Sequence, residues 1–169
     1  MTPQLSNRSS SDGQSSPMIQ KTPTSAGQAW FDYPVRAQPH HTDYAGIVWH
    51  GSYIAWMEEA RVEYLRSLGV DFADLVAMGC DLPVVDLSIR YHRALPLGTT
   101  AIVRTRMENL DGVRLNWDYK IHALDGQGMA GDLHVTARVS LVAVDREKGK
   151  IMRQLPPEIK RVLMGNTAP

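Results

Sequence analysis

The chain carries two hydrophobic periods, and the places where one gives way to the other divide it into elements. Phe31, Tyr33, Val35 and Ala37 alternate with Asp32, Arg36 and Gln38, the spacing of a short strand with one buried face. Pro34 within it has no amide hydrogen for a ladder, which places the strand near a sheet edge. The polar, turn-rich "PHHTDYAG" follows. From 52 to 68 the spacing changes to three and four: Tyr53, Met57, Ala60, Tyr64 and Leu68 form one stripe, flanked by Ile54, Trp56 and Leu65. Glu58, Glu59, Glu63 and Arg66 take the other side, where Glu63 and Arg66 can pair, and Gly69 is the expected stop. At 1.5 Å per residue this helix is roughly 25 Å long.

After a possible second short helix at "VDFADLVAMG", the period is two. Val85, Leu87, Ile89 and Tyr91 alternate with polar residues. So do Ala101, Val103, Thr105 and Met107, then Val113 to Ile121, then Leu133 to Leu141. Each run reads as a strand with one wet face. "LPLG", "LDG" and "LDGQG" supply turns, and "PPEIKRVLMG" reads as a short closing helix with proline in its first turn. One strand, one long helix and about four antiparallel strands leave a single substantial helix to cover a whole sheet. The expected fold is therefore α+β, with one long central helix wrapped by a curved antiparallel sheet.

The totals narrow the partners. The 169 residues suit one domain, and Lys+Arg and Asp+Glu balance at 18 each, so no global basic field favours nucleic acid or an anionic membrane. No apolar run approaches the ~18 residues of a membrane span. One cysteine, Cys80, excludes an internal disulfide and any Cys-rich metal site, and a cytoplasmic setting is expected. Residues 1–28 are Ser/Thr/Pro/Gln/Gly-rich with little to bury, so a disordered tail is expected ahead of a domain at 29–165. A transit peptide is the alternative, though Arg8 and Lys21 are the tail's only basic residues.

Asp43 stands in a tight loop just ahead of the long helix. A helix start offers unpaired N–H donors and the positive end of the dipole. A carboxylate facing it across a small gap could act on a carbonyl polarised there. The plainer role for Asp43 is an Asx turn capping its own loop.

The stretch "HTDYAGIVWHGSYIAWMEEARVEYLRSLG" resembles the signature of the 4-hydroxybenzoyl-CoA thioesterase-like branch of the hotdog-fold acyl-CoA thioesterases. The matching order of elements extends this likeness over roughly 30–163. The resemblance implies a hotdog fold, hydrolysis of an acyl- or aryl-CoA thioester without a cofactor, and a homodimer or homotetramer with the acyl pocket between subunits. It aligns the catalytic carboxylate with Asp43, as nucleophile or general base, and the oxyanion-donating amide with His50. Along the substrate it places Tyr44, Gly46, Trp49, Ser52 and Tyr53, with Arg114 nearest the family's nucleotide contacts. Tyr44 replaces a smaller residue or proline, which would narrow the pocket. "GSY" replaces Ala-Asn-Tyr or Pro-Asn-Tyr, so any role of that Asn passes to Ser52 or is lost. Ser52 also reads as the helix N-cap.

Other constellations compete. Glu58 and Glu59 are rival carboxylates on the helix, although beside Arg61, Glu63 and Arg66 they read as a solvated, ion-paired face. His40, His41, Asp43 and His50 lack the helical spacing of a metal site. Cys80 has no neighbouring His to activate it and reads as structural. Arg90, Arg93, Arg104, Arg106, Arg114 and Arg138 project from polar faces, where a guanidinium fork suits phosphate. A non-catalytic acyl-binding scaffold and an enoyl-CoA hydratase or dehydratase remain the alternative functions on this fold.

Overall fold

The computed structural model describes residues 29–164, and the tail expected at 1–28 lies outside them. Strand β1 (Phe31–Arg36) leads through a single 3-10 turn (Pro39–His41) and a loop to α1 (His50–Ser67). A short α2 (Phe72–Ala77) follows, then β2 (Cys80–Asp81), β3 (Val84–Tyr91), β4 (Thr100–Asp111), β5 (Arg114–Leu124) and β6 (Ala130–Val142). Two-residue strands β7 (Val144–Asp145) and β8 (Lys150–Ile151) and a closing α3 (Pro157–Leu163) complete the order.

The main sheet is antiparallel with the order β1-β4-β5-β6-β3. Pro34 sits on the edge strand β1, as its missing N–H requires. β3 does not join its chain neighbour β4 but crosses to pair with β6, forming the other edge. A second sheet, β2-β7-β8, was not foreseen, because strands of two residues are too short to show a period.

Helix α1 packs on β1 and β4. Its stripe of Tyr53, Trp56, Met57, Ala60, Tyr64 and Leu65 is buried against Val103, Met107, Trp117, Tyr119, Ile121 and Val139. Tyr64 meets Trp117 edge-on at 5.4 Å and Phe31 at 5.7 Å. Burying a side chain of this size contributes about 2 kcal/mol, so this stripe fixes where the helix lies. Glu63 and Arg66 form the expected pair on the outer side. Cys80 is a free, buried thiol whose pKa is raised by burial and then by the charge of Asp81, which fits a structural residue.

Two expectations change. Arg61, read as part of the solvated face, is only 5% exposed and donates from Nη1 to the Tyr119 hydroxyl at 2.8 Å. It lies one position beyond Ala60 and so borders the buried stripe, and among the described residues only the Tyr119 hydroxyl, on the sheet facing the helix, accepts a hydrogen bond from it. The alternating face of β3 is not buried within the protomer either: Val85, Leu87 and Tyr91 are 50%, 39% and 44% exposed. β3 is the sheet edge farthest from the strands that α1 covers, so Val85 and Leu87 are left uncovered, while Ile89 packs partly on the core and Tyr91 reaches Tyr53.

Tyr119→Phe strands a buried guanidinium donor, and a lost hydrogen bond to a charged group costs about 2 kcal/mol. Arg61→Met removes the buried charge together with its need for a partner and costs less. Thermal unfolding of the two variants should rank them in that order; the reverse order would show that the Arg61–Tyr119 bond contributes nothing.

Candidate active site

The segment between the 3-10 turn and α1 is a tight hairpin built on its own hydrogen bonds. Asp43 N–H donates to the Ile47 carbonyl at 2.9 Å, and Gly46 N–H to the Asp43 carbonyl at 3.0 Å. Gly46 has φ +73°, a left-handed backbone that a side chain would strain. Bridges from Thr42 to Val48 and from Ile47 to Pro96 tie the hairpin down, and Val48 N–H donates to the Leu95 carbonyl at 2.9 Å.

Within this hairpin the Asp43 carboxylate is exposed and oriented. Its Oδ1 accepts from the N–H groups of Ala45 at 2.9 Å and Ile47 at 3.3 Å. This is the Asx turn of the plainer reading, but it engages one oxygen. Oδ2 has no protein partner among the described residues.

Helix α1 begins without a side-chain cap. Trp49 holds the N-cap position with an extended backbone, and the first turn contains no acidic residue. Ser52 is therefore not the cap; it is the third helical residue, buried, and its hydroxyl donates to the His41 carbonyl at 2.9 Å. The N–H groups of His50 and Gly51 have no protein acceptor among the described residues, which leaves the donors of an open helix start. The Trp49 indole lies over Gly51, where a Cβ would stand 2.2 Å from ring carbon Cη2. Trp49 also meets the His50 ring edge-on at 4.9 Å.

Beside this start lies an open cleft of about 320 Å³ lined by Ile47, Val48, His50, Tyr53, Tyr91, His92, Arg93 and Ala94. Its floor is apolar, and imidazoles and a guanidinium stand at its rim. Tyr53 is buried there, its ring 5.6 Å from that of Tyr91, and burial pushes its hydroxyl pKa up to about 12. The Tyr91 hydroxyl donates to the His50 carbonyl at 3.3 Å. Asp43 does not itself line the cleft; its hairpin partners Ile47 and Val48 do.

The hairpin, the helix start and the cleft bring Asp43, Gly46, Trp49, His50, Ser52 and Tyr53 into one region. Tyr44 projects fully exposed from the hairpin tip. Arg114 stands apart. It opens β5, whereas the hairpin adjoins the opposite end of the sheet through Leu95 and Leu97, just before β4. The 12 residues of β4 span on the order of 35 Å, so one protomer does not bring Arg114 to the others. Among the remaining arginines, Arg93, Arg104, Arg106 and Arg138 are held in ion pairs with Asp132, Asp32, Asp118 and Glu108. Glu58 and Glu59 lie exposed on α1, and Glu59 accepts from the Tyr33 hydroxyl at 3.2 Å. His41 Nδ1 accepts from the Gln38 N–H at 3.0 Å, and no three His, Cys, Asp or Glu side chains gather as metal ligands among the described residues. Tyr91 and His92 were missed by sequence reasoning, because only the fold brings the end of β3 beside the start of α1.

Known proteins resemble this chain in sequence and in fold. The chain is 55% identical to a putative esterase of Synechocystis over 137 residues, which is 81% of this chain and 80% of the relative. It is 37% identical to the putative acyl-CoA thioesterase YneP of Bacillus subtilis over 109 residues, 64% of this chain and 75% of that one. The crystal structure of the DHNA-CoA thioesterase of Staphylococcus aureus superposes with a TM-score of 0.67 at 27% identity, covering 73% of this chain and 80% of that chain. The family model described as the thioesterase superfamily matches residues 45–130, beginning two residues after Asp43. The helix wrapped by an antiparallel sheet is thus the hotdog fold, and the chain belongs to the thioesterase superfamily.

Proposed function

We propose that this protein hydrolyses an acyl- or aryl-CoA thioester to the carboxylate and free CoA, with Asp43 as the catalytic carboxylate and the open start of α1 as the oxyanion site. The observation that carries the reading is the pairing of a half-engaged carboxylate with an uncapped helix. Asp43 Oδ1 is pinned by two backbone N–H groups while Oδ2 is free of protein partners. The His50 and Gly51 amides are left unmatched in a first turn without acidic residues. The names of relatives support an acyl-CoA substrate, since YneP and the Staphylococcus aureus enzyme both carry it.

Chemistry follows from placing the thioester carbonyl at the helix start. The free amides stabilise negative charge as it builds on the carbonyl oxygen, a contribution of roughly 3 kcal/mol for one donor. Asp43 Oδ2 either attacks the carbonyl carbon or takes a proton from the water that does. The C–S bond then breaks and CoA leaves as the thiolate; on the direct route this leaves an anhydride between Asp43 and the acyl group, which a water hydrolyses to release the carboxylate and restore Asp43. The cleft between Val48, Tyr53 and Tyr91 takes part of the acyl group, and its aromatic walls suit an aryl or medium-chain acyl.

A second copy of the chain completes the site. The exposed apolar residues of β3 form an unpaired edge, and such an edge pairs with another strand unless it is blocked. Antiparallel pairing of two β3 strands sets the Tyr91 end of one protomer against the Val84 end of the other. Arg114 pairs with Val142 in the sheet, and Val142 N–H donates to the Pro83 carbonyl beside Val84. The partner's Arg114 end would thereby approach the cleft, in reach of CoA phosphates. The exclusively buried, free thiol of Cys80 suits a reducing cytoplasm.

Purified protein should release thiol from at least one member of a panel of short, long and aromatic acyl-CoAs, and Asp43→Asn should lower kcat by roughly 10²–10⁴-fold. Background rates throughout the panel would favour a non-catalytic acyl-binding role, and wild-type rates in Asp43→Asn would remove the carboxylate from the mechanism. Turnover of an enoyl-CoA without thiol release would instead mark a hydratase. A single turnover in ¹⁸O-water separates the two chemical routes: direct attack followed by hydrolysis at the Asp43 carboxyl carbon leaves the heavy oxygen in Asp43 and an unlabelled product, whereas water activation puts the heavy oxygen in the product. For the edge, Leu87→Asp should convert a dimer or larger assembly to monomers in sedimentation velocity; a monomeric wild type would refute the β3 pairing.

A further inference from the structure

The two halves of the proposed site belong to different local structures, a self-bonded hairpin and a helix start, and something must fix one against the other. The His41 carbonyl does so. It receives the Trp49 N–H at 3.1 Å from the helix side and the Ser52 hydroxyl at 2.9 Å from inside the first turn. His41 is two residues before Asp43, and the intervening Thr42 is itself immobilised, its N–H and hydroxyl both donating to the Pro39 carbonyl at 3.2 and 2.9 Å. Ser52 is 5% exposed, so its hydroxyl has little water to turn to.

We propose that Ser52 is a positioning residue for the thioesterase reaction. Its buried hydroxyl and the Trp49 amide together grip the His41 carbonyl and hold the Asp43 hairpin at a fixed offset from the His50 and Gly51 amides. Ser52 does not touch the substrate in this role, since its hydroxyl is spent on the loop. The inference rests on Asp43 being the catalytic carboxylate.

Among the described residues, the bond to Ser52 is the one side-chain hydrogen bond from α1 to His41, eleven positions back along the chain, and the His41 ring also packs edge-on against Trp56 of α1 at 5.1 Å. Without it the His41 carbonyl keeps only the Trp49 N–H, and while Leu95 and Pro96 still tie the Ile47–Val48 side of the hairpin, the side that leads into Asp43 can shift. Displacement of a reacting group by about 1 Å costs on the order of 10²-fold in rate without altering how the rest of the substrate is held. The loss should therefore fall on kcat and leave KM nearly unchanged. Threonine keeps a hydroxyl at the same carbon and should restore the grip.

The test measures Ser52→Ala, Ser52→Thr and Asp43→Asn side by side on the best acyl-CoA of the panel, with hydrogen exchange at residues 42–48. Ser52→Ala should lose about 10- to 100-fold in kcat with KM within about threefold, and its hairpin amides should exchange faster. Ser52→Thr should recover most of the rate. Wild-type kcat in Ser52→Ala, or a loss confined to KM, would overturn the positioning role. So would a loss of kcat with hairpin exchange unchanged, whatever Ser52→Thr does. Should Asp43→Asn keep the wild-type rate, the carboxylate reading itself fails; a dead Asp43→Asn beside an active Ser52→Ala would sink only the role of Ser52.

Discussion

Burial of one face of α1 against the sheet is the constraint on which the rest of this molecule depends. Trp56, Met57, Ala60 and Leu65 are sealed between the helix and the strands, and Tyr64 locks edge-on against Trp117. A helix held this way along its length has a start that cannot drift. The amides of His50 and Gly51 are therefore fixed by apolar contacts farther down the rod, and not by a cap of their own. That is what makes an uncapped first turn tolerable: its donors remain unmatched because packing elsewhere already holds the helix in place.

The hairpin before α1 uses the opposite strategy. It is almost all hydrogen bonds, with a left-handed Gly46 at its bend and the Asp43 carboxylate drawn onto two of its own amides. An Asx turn and a reactive carboxylate are often treated as rival roles for one residue. Here the turn takes up Oδ1 and leaves Oδ2 without a protein partner among the described residues, so the structural role does not exclude the chemical one proposed above. The hydrogen bonds that link the packed helix to the strand entering the hairpin converge on one carbonyl, that of His41, whose ring also packs against Trp56.

Charge is kept away from this region or neutralised. The arginines of the sheet's polar face are mostly engaged with aspartates on neighbouring strands, with Asp118 bridging Arg106 and Arg138. Trp30 lies under both Arg106 and Lys120, at 4.6 and 5.2 Å from its ring. These contacts knit the polar face to itself. Arg90, on the β3 edge, and Arg114, at the start of β5, have no ion-pair partner among the described residues.

Periodicity alone determined the α+β class, the single long helix and the strand runs, because one-sided burial writes itself into the spacing of apolar residues. Pro34 marked an edge for the same local reason. The likeness in 41–69 singled out Asp43 and His50. The tertiary structure decided what spacing cannot encode. It sent β3 across to β6, which left Val85 and Leu87 bare and set Tyr91 beside the helix start. It buried Arg61, whose partner Tyr119 lies 58 positions away. It moved Ser52 from the cap into the helix, and it separated Arg114 from the residues its alignment had grouped it with. Each of these depends on which segments meet across the fold, and a meeting between distant segments leaves no period in either one.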